Sequence, residues 1–380
     1  MLAIIHAEIV MPDHLIPDGV LFVEGDKIAG FGEMRTTPVP AGCDVLDAKG
    51  LYVGPGFVDI HVHAANHVEF FEDPIPVAQH HFKNGTTTIM PTLYFKLNQK
   101  RMVDAFHLIK DAMKKPEGKT MAGFYVEGPY MNPKFGSNRR DCPWANPIRR
   151  EDYMPVLEAA GQDVFVWAVA PERENIEQFV QDAKKMNPKV NFAVGHSEAT
   201  PQQIEALMPY GLRLGTHHTN ATGTLAHYPE CRGVCVDEAV NYNREIYAEL
   251  ISDSRGIHVH PYMQRLIRRI KGDDRLVLIS DCSAGMGAPL PGCEDVDDVL
   301  FDPTGEVDGS NLSLNRACRN IMVHTGASVV EAFRFATYNP TRAIGLLDRG
   351  EIAVGKLADL VLVDHRFNVK KVIFRGEVQE

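Results

Sequence analysis

Residues 57–63 read Phe-Val-Asp-Ile-His-Val-His, a short apolar run that ends in two histidines. Residues two apart on a β-strand point to the same face, so both imidazoles can reach one ion. The pair alone is weak evidence, because the chain has 16 histidines and two ordinary polar strand-end residues are the alternative. The segment also opens a repeating pattern that predicts the fold.

From residue 57 onward, apolar strands alternate with segments of helical spacing, which is typical of a parallel sheet whose strands are joined by helices. We expect eight strands, the number of a closed (β/α)8 TIM barrel, so the predicted fold class is α/β. The predicted strands span 57–62, 87–93, 122–126, 164–168, 191–194, 213–216, 246–250 and 276–279. The predicted helices include 77–83, 101–114, 176–185, 201–207, 261–271 and 329–338.

Both ends of the chain are rich in short β-strands. Before residue 57, apolar runs alternate with turn signals such as Gly25-Asp26, and near the other end strands are predicted at 359–363 and 369–378. The economical arrangement pairs the two ends in one small β-sandwich domain. We therefore predict a small domain from 1–54 and 344–380, with the catalytic barrel at 55–343 inserted between them.

The composition of the whole chain excludes several classes of function. A net charge of −11 without a long Lys/Arg run argues against nucleic-acid binding. No apolar stretch reaches the roughly 18–20 residues of a membrane span, and the first residues lack the basic leader of a signal peptide. Seven irregularly spaced cysteines predict free thiols, although Cys231 and Cys235 could form a metal pair. The expected location is the cytoplasm.

Four further polar residues follow predicted strands at their carboxyl ends, where barrel enzymes carry their active sites. They are Glu127, His196, His217 and Asp281. Each alone has an ordinary alternative as a solvated acid, a helix-entry residue or a turn residue. Together with the His-x-His pair they supply four imidazoles and two carboxylates, which suit a first-row divalent ion that keeps open positions for water. The sequence predicts a metal site.

The chain resembles a known family, the N-acetylglucosamine-6-phosphate deacetylases of the amidohydrolase superfamily. The resemblance covers nearly the whole chain. It is carried by 55–59 with His61-Val62-His63, by Val126-Glu127-Gly128-Pro129, by 195–200, by Thr216-His217 with Asn220-Ala221, by 256–261, by Ser280-Asp281, by Ala336-Thr337 with Asn339-Pro340, and by 355–359.

The resemblance implies that Glu127, His196 and His217 hold the main ion and that Asp281 is the general acid/base. Members with His-x-His resemble two-metal amidohydrolases, so His61 and His63 would serve a second ion, with Glu127 able to bridge. Zinc is the expected metal, and iron, cobalt and manganese accept the same ligands. The implied reaction converts N-acetylglucosamine 6-phosphate and water to glucosamine 6-phosphate and acetate, or uses the galactosamine analogue.

The resemblance further implies a homodimer with sites near the interface. It also implies that Asn220, the backbone of Ala221 and His258 contact the sugar phosphate. His258 could instead pack at a strand end.

Two departures from the family leave the substrate open. The histidine that family members often place after the glutamate is missing, and the chain offers Asn138 or Arg139 as donors. Where the family places an arginine that reaches a neighbouring subunit's phosphate site, a gap-free count gives Tyr228, with His227 and Arg232 nearby as possible substitutes. The sugar could thus differ in stereochemistry or lack the phosphate.

Three alternative functions remain at this point. The first alternative is another amidohydrolase, a deacylase that acts on unphosphorylated N-acyl sugars. A cyclic amidase or deaminase is a second, but many such two-metal enzymes use a carboxylated lysine as the bridge, and Glu127 argues against it. A third is a barrel that has lost its chemistry, which would be expected to have lost metal ligands.

Overall fold

The computed structural model describes residues 1–136, 142–223 and 228–379. Its first five strands are β1 (Leu2–Val10), β2 (Leu15–Glu24), β3 (Lys27–Glu33), β4 (Asp44–Asp47) and β5 (Tyr52–Pro55). The middle of the chain contains β6 (Phe57–Val62), β7 (Ala64–Ala65), β8 (Val68–Glu69), α1 (Pro74–Lys83), β9 (Thr86–Tyr94), α2 (Gln99–Met113), β10 (Phe124–Glu127), α3 (Arg150–Ala160), β11 (Val164–Val169), α4 (Ile176–Met186), β12 (Asn191–Val194), α5 (Pro201–Leu207), β13 (Leu212–Gly215), α6 (Val236–Tyr242), β14 (Tyr247–Leu250), α7 (Pro261–Lys271) and β15 (Leu276–Leu278).

The last part of the chain contains β16 (Val299–Phe301), β17 (Val307–Ser310), α8 (Leu314–Thr325), α9 (Val329–Phe333), α10 (Asn339–Ile344), β18 (Leu360–Val363), β19 (Val369–Phe374) and β20 (Glu377–Val378). Short 3₁₀ turns lie at Pro116–Gly118 and Met208–Tyr210, and a π-helical turn lies at Arg334–Tyr338. Among the described residues, no helix is long and apolar enough to cross a membrane.

The barrel is a single parallel sheet of eight strands in the order β6, β9, β10, β11, β12, β13, β14 and β15. These strands read as continuous apolar runs because helices cover their outer face while the barrel core fills the inner face. All six residues of β6 are buried, for example. The prediction of eight barrel strands in an α/β fold is confirmed.

Backbone hydrogen bonds bring the first and last barrel strands together beyond the end of β15. The Asp281 amide donates to the His61 carbonyl at 3.0 Å, and the His63 amide donates to the Cys282 carbonyl at 2.9 Å. The main chain that carries three of the predicted ligands is therefore hydrogen-bonded to itself across the barrel seam. This arrangement limits the freedom of those ligands to move apart.

The two chain ends form one further sheet, in the order β20, β19, β18, β5, β1, β2 and β3, with β4 also paired to β1. Strand β18 pairs antiparallel with β5, where Leu360 faces Pro55. The expectation that both ends build one small β unit is confirmed. The domain limits at 54/55 and 343/344 stay a prediction.

Several elements were not predicted from the sequence, namely helices α3, α6, α8 and α10 and the antiparallel hairpins of β7 with β8 and of β16 with β17. Helix α3 contains Pro155 within its length, which disguises a helical pattern. The hairpin of β16 and β17 matters for function because its connecting residues form part of the wall of the main cavity.

Candidate metal centre

The structure brings all six predicted metal ligands together at the carboxyl ends of the barrel strands. Their side chains are buried, with at most 12% of any one exposed. His61 and Glu127 lie within β6 and β10, and the other four come one to three residues after β6, β12, β13 and β15. The barrel explains this convergence, because the carboxyl ends of its strands meet in one ring.

Glu127, His196 and His217 form the first cluster. Glu127 Oε1 lies 2.6 Å from His196 Nε2 and 2.9 Å from His217 Nε2. The two imidazole Nε2 atoms are 3.0 Å apart. These three ligand atoms therefore surround one point, as the ligands of a single ion would.

The second cluster lies on the other side of the same glutamate. His61 Nε2 and His63 Nε2 are 3.3 Å apart, and His63 Nε2 is 3.5 Å from Glu127 Oε2. Asp281 Oδ1 lies 3.2 Å from His63 Nε2 and 3.5 Å from His61 Nε2. The two oxygens of Glu127 thus face different histidine pairs, which is the geometry of a carboxylate that can bridge two ions.

The donor set fits a divalent metal. Each cluster places ligand atoms of two histidines and a shared carboxylate within 4.8 Å of one another. The Nδ1 atoms of His196 and His217 find no hydrogen-bond partner in the part of the chain that the structure describes. In each cluster the Nε2 atoms of the two histidines lie only 3.0–3.3 Å apart. At that distance a shared cation stabilises the two nitrogens better than a contact between them does.

Electrostatics of the ligands support the same conclusion. Burial alone would raise the pKa of Glu127, but the charges and hydrogen bonds of its histidine neighbours outweigh burial and hold that pKa well below its usual range. Burial would lower the pKa of His63, yet Asp281 and Glu127 raise it to about 9. The pKa of His217 is likewise raised to about 9 against burial, mainly by Glu127. An arriving cation would replace protons on these imidazoles, so its affinity should fall as the pH falls.

Three of the ligands occupy strained backbone conformations. His196, His217 and Asp281 have φ angles of 44°, 28° and 48°, a region that non-glycine residues rarely adopt. Such strain persists only where surrounding structure fixes it, and it concentrates at functional sites. The surrounding structure therefore holds the backbone in the conformation that directs these three side chains into the site.

The structure adds residues behind the ligands that sequence reasoning missed. Glu249 on β14 is fully buried and places Oε2 3.1 Å from His61 Nδ1. The Thr92 carbonyl lies 3.1 Å from His63 Nδ1. The signal for Glu249 was present, because a charged residue stands inside the apolar strand Tyr247–Leu250.

A cavity of about 600 Å³ opens directly above the clusters. Its lining includes His63, Glu127, His196, His217 and Asp281, together with residues of the hairpin that follows β15. A volume of this size suits a small-molecule substrate.

Three of the predicted substrate contacts line this cavity, namely Asn220, Ala221 and His258. The Asn220 amide donates to the His258 carbonyl at 2.8 Å, and its own Oδ1 has no partner within the described ranges. The His258 ring is held by Asp253, whose Oδ2 lies 3.1 Å from Nδ1. The Asn220 Oδ1 atom and the oriented His258 ring therefore lie at the cavity wall.

Arg232, a further predicted contact, is not among the described residues that line the cavity. Arg232 is largely exposed and pairs with Glu238 at 2.8 Å. Tyr228, at the position where the family has an arginine, is 81% exposed. Asn138 and His227 lie outside the described residues, so their roles stay predictions.

The chain belongs to the amidohydrolase family, whose model matches residues 52–378. It is an enzyme family that acts on amide-type bonds with bound metal, in agreement with the site.

Two curated proteins and one solved structure are similar to this chain along most of its length. An N-acetylgalactosamine-6-phosphate deacetylase of Escherichia coli O157:H7 is 28% identical and covers 90% of each chain. An N-acetylglucosamine-6-phosphate deacetylase of Lysinibacillus sphaericus is 26% identical over 89% of this chain and 88% of that protein. The crystal structure of N-acetylglucosamine-6-phosphate deacetylase from Pasteurella multocida shares the fold, with a TM-score of 0.86 at 24% identity over 100% of this chain and 99% of that one.

Proposed function

We propose that this protein removes the acetyl group from an N-acetylated amino sugar phosphate, giving the free amino sugar phosphate and acetate. The observation that carries the proposal is the pair of histidine clusters on the two oxygens of Glu127, with Asp281 beside them at the floor of a cavity of about 600 Å³. Two relatives that match along most of the chain are deacetylases of this substrate class.

The chemistry requires a strong nucleophile and an activated carbonyl, because an amide is a poor electrophile and water a poor nucleophile. A divalent ion held by Glu127, His196 and His217 would lower the pKa of water and polarise the acetyl oxygen. Asp281 is ionised at neutral pH, since its histidine neighbours hold its pKa below the usual value despite burial. It accepts the proton of the attacking water and then donates that proton to the departing amine nitrogen.

The metal in this proposal is zinc, with iron, cobalt and manganese as alternatives for the same ligands. The His61 and His63 cluster supports a second ion, because its Nε2 atoms face the free oxygen of Glu127 and the Asp281 carboxylate. Metal analysis of the purified protein gives both the element and the stoichiometry. A protein that binds no divalent ion after reconstitution would contradict this part of the proposal.

A second candidate is a deacetylase of unphosphorylated N-acetyl sugars. Among the described cavity residues the lysines are Lys96 and Lys134, and both already pair with carboxylates, at Asp308 and Glu198. The carboxylate partners of these two lysines weaken the attraction of the described cavity wall for a phosphate.

One experiment separates these substrates. Acetate release is measured with N-acetylglucosamine 6-phosphate, its galacto isomer and the two unphosphorylated sugars. We expect the highest kcat/KM with a phosphorylated sugar. A preference for unphosphorylated sugars supports the second candidate, and no acetate from any N-acetyl sugar would refute the substrate class.

The remaining proposals concern assembly and location. We propose a homodimer, supported by large exposed apolar side chains at Tyr228, Val234 and Tyr242, close in sequence to Arg232. Light scattering coupled to gel filtration tests this, and a monomer at micromolar concentration would contradict it.

All seven cysteines are free, which supports a reducing, cytoplasmic location.

A further inference from the structure

Glu249 is a buried carboxylate that the proposed chemistry does not use. It lies on β14, between the strands that lead to His217 and Asp281, and its side chain is 0% exposed. Its Oε2 is 3.1 Å from His61 Nδ1 and 3.3 Å from the His217 amide nitrogen. In the part of the chain that the structure describes, its only ion-pair partner within 4.0 Å is His61.

The four candidate histidine ligands differ in what stands behind them. His61 has a carboxylate at Nδ1, whereas His63 has the neutral carbonyl of Thr92. The Nδ1 atoms of His196 and His217 have no partner within the described residues. Among the ligand rings, Glu249 therefore contacts that of His61 in the second cluster, whereas its contact with the first cluster is to the His217 backbone amide.

This contact determines which nitrogen of His61 is available. A carboxylate beside Nδ1 accepts a hydrogen bond from the Nδ1–H group, so the lone pair lies on Nε2, which faces His63 and Asp281. A carboxylate behind a ligating imidazole also makes that imidazole a stronger donor. The ring is further fixed by Tyr125, which stacks on it with centroids 4.6 Å apart.

Charge balance favours the same role. Two divalent ions would bring four positive charges into a buried site where Glu127 and Asp281 supply two negative ones. Glu249 places a further carboxyl group behind these ligands, at the distance of one imidazole ring. A buried charge is tolerated when it is paired, and a cation on His61 would complete that pairing.

We propose that Glu249 is the positioning residue that makes the His61–His63 cluster a tight second metal position, while the Glu127–His196–His217 cluster binds its ion without it. The proposal deepens the metal-dependent function above and rests on it for the presence of the ions. Its test, however, needs no substrate.

The test titrates metal-free protein with Zn²⁺ against a chromophoric chelator and checks stoichiometry by elemental analysis after gel filtration. Wild type should bind two equivalents tightly. Glu249→Gln keeps the size and one acceptor oxygen but removes the charge, so the second equivalent should weaken by about 10–100-fold while the first is unchanged. The matched control is Asp182→Asn, which neutralises a buried carboxylate on α4, and it should bind as wild type.

A double-mutant comparison guards against a folding defect. His61→Gln alone should abolish the second equivalent, and adding Glu249→Gln should then change nothing more, because both act through one contact. Circular dichroism confirms that each variant is folded. The proposal is overturned if wild type binds only one ion, if Glu249→Gln binds both as wild type does, or if a folded Glu249→Gln loses both equally.

The outcome is separable from the deacetylase proposal. A wild type with two tight ions, a selective loss in Glu249→Gln and no acetate release would refute the deacetylase and leave Glu249 supported. Acetate release by wild type together with an unaltered Zn²⁺ titration in Glu249→Gln would refute only the role of Glu249.

Discussion

Replacing Asp281 with asparagine tests the proton-transfer role most directly. Asp281 Oδ1 lies 3.2 Å from His63 Nε2 on the cavity floor, and asparagine keeps the shape while removing the basic oxygen. Because the pKa of Asp281 is held below its usual value, the carboxylate is fully ionised at pH 7 and its whole contribution is present in wild type. A positioned acid/base contributes about 10²–10⁴-fold, so kcat should fall by about that factor, equivalent to a barrier rise of about 3–5 kcal/mol.

The assay measures acetate release together with bound metal for each variant. We expect Asp281→Asn to retain the ion of the Glu127, His196 and His217 cluster and to show a KM close to that of wild type. Asp182→Asn is the matched control, because Asp182 is 6% exposed and bonds to Arg150 on the outside of the barrel. A kcat within about tenfold of wild type would refute the role of Asp281 as proton carrier. A loss of all metal in parallel with kcat would instead make Asp281 chiefly a ligand.

Three further outcomes are expected. Removal of metal by a chelator should abolish acetate release and lower the melting temperature, and both should return with Zn²⁺; an active metal-free protein would exclude the mechanism. Asp253→Asn should lower the free energy of unfolding by about 2 kcal/mol at pH 7, because His258 and nearby amides hold the pKa of Asp253 at about 2 against burial. That difference in unfolding free energy, measured by urea unfolding, should persist above pH 4 and vanish as the pH falls towards 2. A difference that stays constant with pH would show that the charge of Asp253 is not the cause. Gly195→Ala places a Cβ 2.6 Å from Thr216 Cβ and should cost about 1–3 kcal/mol and weaken metal binding, whereas Gly30→Ala, whose nearest contact is 3.5 Å, should be neutral to both. Equal melting temperatures for these two variants would contradict the packing argument.

The barrel could be predicted because its strands are buried on both faces and so leave uninterrupted apolar runs such as Val164–Val169. Strand ends were reproduced to within a few residues. The hairpin of β16 and β17 could not be predicted, since Val299–Phe301 and Val307–Ser310 are too short to leave a pattern in the sequence. Its position over the cavity depends on tertiary structure alone.

The six candidate ligands could be predicted because each stands at a strand end, and strand order in a βα barrel follows chain order. Glu249 could not be assigned a role in that way. Its importance depends on the closure of the barrel, which leaves only β15 between β14 and β6 and places the Glu249 carboxylate 3.1 Å from a residue 188 positions earlier.

Two residues that precede metal ligands in the sequence, Gly195 and Thr216, help to fix the strained backbone of the site. Gly195 precedes His196 and packs on the side chain of Thr216, which precedes His217, so a Cβ at 195 would overlap Thr216 at 2.6 Å. This close approach of neighbouring strand ends is what brings the two Nε2 atoms to 3.0 Å from each other. Thr216 is held in turn by the Tyr125 hydroxyl at 2.9 Å. The glycine and the threonine therefore keep two ligands with positive φ angles in the geometry that a single ion requires.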